Sequence, residues 1–324
     1  MANQDILTAE NEKGYKKSGR PLSQYIKTIS NQKQLIFMSV PLLIYVFIFS
    51  YLPIWGWTMA FQNFKPAKTF FEQKWVGLDN FKFLFKDQNF HRVFRNTLCM
   101  SLINIILGFI TAIILALLLN EVKNIFFKRV FQTISYLPHF LSWVIVTGLV
   151  SMSLSSEGGI VNIVLMQFGI IDAPIQWLNE GKYFWGIVGL SNVWKELGWN
   201  TIIYLGAIAA IDPALYEAAE IDGAGRWRKM RHITLPGIKS TFIILLIMAI
   251  GRVTDAGFEI QYLLGNGLVS DFSDTIDIYV LKYGIRQFNF SFATAAGMFT
   301  SAINIIMLFT ANFVAKKVGE ERLI

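Results

Sequence analysis

Four stretches of the chain run without a charged residue for longer than a bilayer is thick. They lie between Lys33 and Lys65, Arg95 and Glu121, Arg129 and Glu157, and Arg286 and Lys316. About 20 apolar residues in helical conformation cross a hydrocarbon core of about 30 Å, so each stretch predicts a transmembrane helix. Two more are long enough but carry charge inside them: 184–211 holds Lys195 and Glu196, and 238–264 holds Arg252, Asp255 and Glu259. A water-soluble fold would leave their apolar surface without a partner. The pattern therefore predicts six spans, at about 35–57, 97–120, 131–154, 184–211, 238–264 and 292–315. The expected fold class is all-α: a polytopic membrane domain over 35–324 behind a polar tail over 1–34.

Composition agrees and removes other classes. Hydrophobic residues make up 54% of the chain and charged residues 16%, against about a quarter charged in soluble domains. A disordered chain, a collagen-like fibre and an ordinary cytosolic enzyme are excluded. The first span is too long, and follows too long a polar tail, for a cleaved signal peptide. Cys99 is the single cysteine, so no intrachain disulfide forms, and His91, His139 and His232 lack ligand spacing; no metal site is expected. His139, beside Pro138, reads as structural.

The net charge of +7 does not imply nucleic acid, because the basic residues cluster between the spans. Six spans put both termini on one side, and most Lys and Arg fall there, which predicts cytoplasmic termini. Of those opposite, Lys65, Lys68, Lys74, Lys82, Lys86, Arg92 and Arg95 share one loop of about forty residues, where the orientation rule is weakest. In the tail, Lys16, Lys17 and Arg20 suit either a solvated segment or contact with anionic lipid.

Signatures of catalysis are missing. There is no Gly-x-x-x-x-Gly-Lys-[Ser/Thr] phosphate loop, no His-Glu-x-x-His and no Gly-x-Ser-x-Gly. Gly223/Gly225 and Gly265/Gly267 start Gly-x-Gly without completing a dinucleotide fingerprint and read as turns. No catalytic residue is assigned, and the chain is expected to be no enzyme.

The segment between spans four and five reads DPALYEAAEIDGAGRWRKMRHITLPG, Asp212 to Gly237. Asp212 and Pro213 suit an N-cap and first turn. The next residues are good helix formers, and Gly223 and Gly225 are placed to end that helix. Arg226, Arg228, Lys229 and Arg231 follow with Trp227 and Met230 among them, and Pro236 stops the second short helix before span five. On these grounds alone the segment is either a protein-docking knob or a basic loop lying on the membrane surface.

Glu217-Ala218-Ala219, three residues, Gly223, nine residues, then Ile233-x-Leu235-Pro236 is the full EAA pattern. It resembles the permease subunits of bacterial ATP-binding-cassette importers, and within them the maltose-type, carbohydrate-importing branch. WVGLDNFKFLF (Trp75 to Phe85), WKELGWN (Trp194 to Asn200) and TIDIYVLKYGI (Thr275 to Ile285) extend the resemblance over roughly residues 35 to 324, the last pointing to the subgroup importing complex oligosaccharides and polysaccharide fragments. Where relatives often carry Gly-Gly-Pro after span five, this chain has Leu264-Gly265-Asn266-Gly267.

The resemblance implies a permease in a bacterial cell membrane. Its partners would be a second, distinct permease chain, a dimer of separate ATPases holding ATP and Mg²⁺, an extracytoplasmic binding protein and an oligosaccharide. No cofactor would be bound by this chain. It implies ATPase coupling through Tyr216, Glu217, Ala218, Ala219, Asp222, Gly223, Ala224, Arg226, Leu235 and Pro236.

Charges inside spans are the remaining signal, since each costs about 2.5–3.5 kcal/mol at mid-helix on insertion scales. As one continuous helix, span five would place Arg252, Asp255 and Glu259 on a single face. That face is either an internal Arg252–Asp255 pair or a polar wall of the translocation path. In span four, a break near Gly198 would free backbone groups for a solute, and at most one of Lys195 and Glu196 would face the path. Aromatic rings stack on sugars and carboxylates accept hydroxyl protons, so Trp194, Lys195, Asn200, Tyr204, Arg252, Asp255 and Glu259 are the path candidates. A permease for a non-sugar solute, and an ion-coupled transporter using Asp255 and Glu259, are the competing readings.

Overall fold

The computed structural model describes residues 32–317, in two units that meet at the Gly56–Trp57 boundary. The tail, with Lys16, Lys17 and Arg20, lies outside the described residues.

From Lys33 onward the first unit is helical: α1, Lys33–Val46, continues into a wider π turn, Phe47–Tyr51. No residue of either piece is buried, and Phe37 is 82% exposed. A helix apolar all round with no buried face suits lipid or another protein, not water.

In the second unit, a two-stranded antiparallel ribbon, β1 Gln62–Asn63 with β2 Lys74–Trp75, precedes α2, Asp79–Lys86. The Asn80 amide donates to the Ala60 and Gln62 carbonyls at 2.8 and 3.1 Å and pins α2 to the ribbon. Asp87 then caps α3, Gln88–Glu121, by accepting from the Asn89 amide. This 34-residue helix packs along α7, Gly181–Ala209. Small residues permit the approach: Ala112 and Ala116 are fully buried, and the Thr201 hydroxyl reaches the Ala112 carbonyl at 3.3 Å.

The third span is not one helix. α4, Ile125–Tyr136, continues as a tight turn to Phe140, and α5, Trp143–Ser153, leaves at 103°. Pro138 removes a backbone donor, and the Ser142 hydroxyl accepts from the Ile145 amide to start the new helix. A short α6, Ile160–Gln167, leads on to α7. The segment between spans four and five forms α8, Pro213–Ile221, and the helical run α9, Arg226–Gly237. α9 turns by 52° into α10, Lys239–Ile250.

Span five also departs from a continuous helix. α10 stops at Ile250, residues 251–258 run irregularly, and α11, Glu259–Leu264, begins anew. Arg252, Asp255 and Glu259 therefore do not share a helical face. After a one-turn helix at Ser270–Ser273 come α12, Ile276–Leu281, and α13, Phe290–Lys317. Phe90, Tyr279, Phe292 and Ala296 bury together and join α12 and α13 to α3. Among the described residues, three helices can each cross a membrane by length and composition, or up to six when bent pairs are counted as single spans.

Candidate functional site

Two features stand out, one between α7 and α10 and one inside the bundle. The first is the α8–α9 knob. Asp212 accepts from the Ala214 amide at 2.9 Å, and Pro213 occupies the first turn, where its missing N–H costs nothing. At the other end Gly223 adopts φ +71°, the Gly223 amide bonds the Glu220 carbonyl at 3.0 Å and the Ala224 amide bonds the Ala219 carbonyl at 2.8 Å. This left-handed closure is what glycine tolerates best. Asp222, just before it, is the last residue with near-helical geometry.

The two helices are tied to each other. Tyr216 and Thr234 hydroxyls meet at 2.9 Å, and Lys229 donates to Glu220 at 2.5 Å, holding that carboxyl below its usual range. Arg226 lies 3.8 Å from Glu121 at the end of α3. Facing outward are Leu215, Ile221 and Trp227, at 53%, 87% and 70% exposure. Glu217 and Ala218 are exposed, Ala219 and Ala224 half-buried, and Leu235 and Pro236 exposed on α9.

The second feature is a cavity of about 430 Å³ walled by α3, α7 and α10. Asn200 and Tyr204 on α7 line it, with Asn104 on α3 and Arg252 and Asp255 from the break in span five. Tyr204 is 2% exposed, and its hydroxyl is buried without a hydrogen-bond partner. Asp255 accepts from the Gly257 amide at 3.2 Å. Among the described residues Arg252 forms no ion pair with Asp255 or any other carboxylate, so the internal pair weighed from sequence is not made.

Three other path candidates lie elsewhere. Lys195 is 6% exposed, donates to the His139 carbonyl at 2.7 Å and forms an ion pair with Glu196 at 3.2 Å, with its ammonium over the Trp143 ring. Glu196 also meets the His139 ring at 2.7 Å, and that ring stacks on Trp199 with centroids 4.4 Å apart. Lys195 and Glu196 thus join α7 to the bend after α4, and neither lines the cavity. Trp194 is 46% exposed outside it, and Glu259 starts α11 beyond the break. Nor is there a break near Gly198, because α7 is continuous. A Cβ at Gly198 would sit 2.1 Å from the Ser135 carbonyl oxygen; the glycine is there so that α4 can approach.

Sequence reasoning missed the residues that hold the break open. The Asn304 side chain on α13 accepts from both the amide and the hydroxyl of Thr254, at 3.2 and 2.9 Å. The Ala256 carbonyl accepts from Gln261 at 2.6 Å and Asn104 at 3.4 Å. Irregular backbone within a bundle needs such partners. Asn104 and Asn304, each alone in an apolar run, were the available signal. Among the described residues no cluster of His, Cys, Asp and Glu could hold a metal ion.

Comparison with known proteins places these features in a wider set. Residues 90–320 match the family described as binding-protein-dependent transport system inner membrane component. The polygalacturonan/rhamnogalacturonan transport system permease protein YteP of Bacillus subtilis strain 168 is 44% identical over 290 residues, covering 90% of each chain. Protein LplB of the same organism is 41% identical over 306 residues, covering 94% of this chain and 95% of its own. A solved chain of a bacterial ABC transporter involved in import of the acidic polysaccharide alginate is similar at a TM-score of 0.84 and 37% identity, covering 91% of this chain and 99% of its own. A second structure, of bacterial alginate ABC transporter in complex with alginate pentasaccharide-bound periplasmic protein, matches equally well at 0.84 and 37%, covering 92% of this chain and 99% of its own.

Proposed function

The chain belongs to the family of binding-protein-dependent transport system inner membrane components, and from that footing we propose how it works. It is a membrane permease of an ATP-binding-cassette importer for sugars or polysaccharide fragments, a transport subunit and not an enzyme in its own right. The observation that carries the mechanism is continuity. The capped knob is joined to α7 by the three-residue turn 210–212 and to α10 by a single bend of 52°, and those helices form two walls of the cavity.

The partners are a second permease, distinct from this chain, two ATPases and an extracytoplasmic binding protein. ATP and Mg²⁺ are held by the ATPases, and this chain takes no cofactor. α8 seats in a groove of the ATPase, with Glu217, Ala218, Leu215 and Ile221 at the contact. Both termini are cytoplasmic, which puts the knob and the ATPases on one side.

Because α8 is closed at both ends and tied to α9, it moves as one body when the ATPases close. That motion reaches α7 and α10 through two short connections, the turn 210–212 and the bend at Ile238. The irregular 251–258 segment separates α10 from α11, so the cytoplasmic half of the wall rocks while the other half stays. The solute passes Asn200, Tyr204, Arg252 and Asp255.

Reconstitution of the two permeases, the ATPases and the binding protein in proteoliposomes tests this. Gly223→Asp and Glu217→Ala should insert normally but lose ATP-driven oligosaccharide uptake and substrate-stimulated hydrolysis. Wild-type coupling in Gly223→Asp overturns the docking role. Uptake driven by an ion gradient without ATP favours the secondary-transporter reading instead.

A further inference from the structure

We propose that the solute is an acidic saccharide, and that Arg252 is the residue of the path that recognises its carboxylate. The inference rests on the importer reading above and adds the charge of what is carried.

Arg252 follows two residues after α10, Lys239–Ile250, about 20 Å from Lys239 at about 1.5 Å per residue, within a core of about 30 Å. A guanidinium at that depth needs an anion or water. Among the described residues it makes no ion pair, and the nearest acidic residue in sequence, Asp255, instead accepts from the Gly257 amide within the break. Arg252 instead lines a cavity whose volume falls within the usual range of small-molecule sites, about 300–1,000 Å³.

The chemistry of the lining selects further. Arg252 can only donate, and its planar fork fits a carboxylate with two parallel hydrogen bonds. Asp255 can only accept, which suits hydroxyl groups. Asn200 and the unpartnered Tyr204 hydroxyl can do either. A uronic acid residue offers a carboxylate and ring hydroxyls on one small frame. A neutral sugar satisfies Asp255, Asn200 and Tyr204 but gives the guanidinium no anion to pair with. Two of the similar proteins are named for acidic polymers, polygalacturonan and alginate, although such names alone assign no residue.

The test is uptake by the reconstituted complex of galacturonate and alginate oligosaccharides, each beside its carboxyl-reduced neutral counterpart, expressed per assembled complex. Wild type should prefer the acidic member of a pair. Arg252→Gln should lower acidic uptake by about 10- to 100-fold, the factor for losing charge-assisted hydrogen bonds, and neutral uptake by a clearly smaller factor. Arg252→Lys, which keeps the charge but not the fork, should fall between. Asp255→Asn should lower both members alike. Equal losses on both members in Arg252→Gln and Arg252→Lys, or a wild-type preference for neutral sugar, overturn the proposal. Wild-type failure with every saccharide strikes at the importer reading itself.

Discussion

Lys195 shows how a charge within a span can be structural. A path residue is expected to face the cavity, but this ammonium is spent on the His139 carbonyl, Glu196 and the Trp143 ring. It fastens α7 to the bend that follows Pro138. Lys195→Met should therefore cost about 1.5–3 kcal/mol, the range for hydrogen bonds to charged groups, read as a lower melting temperature of the detergent-solubilised complex. Relative uptake of different saccharides should stay as in wild type. Gly198 acts in the same contact from the other direction. Its added Cβ would meet the Ser135 carbonyl oxygen at 2.1 Å and its carbon at 2.4 Å, backbone atoms that cannot turn aside. Gly198→Ala should force α4 and α7 apart at about 1–3 kcal/mol, as overpacking does, and reduce the yield of folded complex. An unchanged melt would remove the close approach from the list of constraints.

The helices differ in what limits them. α8 is only nine residues long, too short to persist on propensity alone, so its ends decide its stiffness. Asp212→Ala removes the N-cap at about 1 kcal/mol and should speed amide exchange along α8 while the melt of the membrane helices stays unchanged. The α8–α9 tie carries its own pH dependence. Lys229 lowers the Glu220 carboxyl from its ordinary 4.5, so the contact contributes fully above that value and is lost as pH falls through the lowered one. Exchange protection of α8 should hold at neutral pH and drop in strong acid. Glu220→Gln should abolish that acid transition. In span five it is the interruption that needs support, and Asn304 supplies it to Thr254.

At the level of the whole molecule, the break divides the cavity wall into α10, on the side of the knob, and residues 251–258, which Asn104 of α3 and Asn304 of α13 hold. Asn304→Leu leaves the Thr254 amide and hydroxyl without their shared acceptor, at about 1–3 kcal/mol. The expected result is fewer saccharides transported per ATP hydrolysed, measured in the same proteoliposomes, with ATPase association intact. Were transport per ATP unchanged, the break would be a packing solution without a role in the stroke.

The sequence by itself determined the class and the knob. Runs of apolar residues as long as those flanking Arg95 or Arg286 have one stable environment, because a bilayer must satisfy backbone groups within the segment. The α8 ends were equally legible, since Asp212, Pro213 and Gly223 act on neighbouring backbone only. What sequence could not decide was the path of the chain inside the bundle. Whether Pro138 kinks or breaks a span, whether Arg252 and Asp255 share a face, and whether Lys195 meets solute or protein all depend on groups far along the chain. Asn304 lies fifty residues from Thr254, and His139 fifty-six from Lys195. Periodicity assumes an unbroken helix, and the break in span five cancels that assumption where the candidate path residues lie. Tertiary hydrogen bonds offset the cost of interrupting a membrane helix, and only the assembled bundle shows which interruptions they sustain.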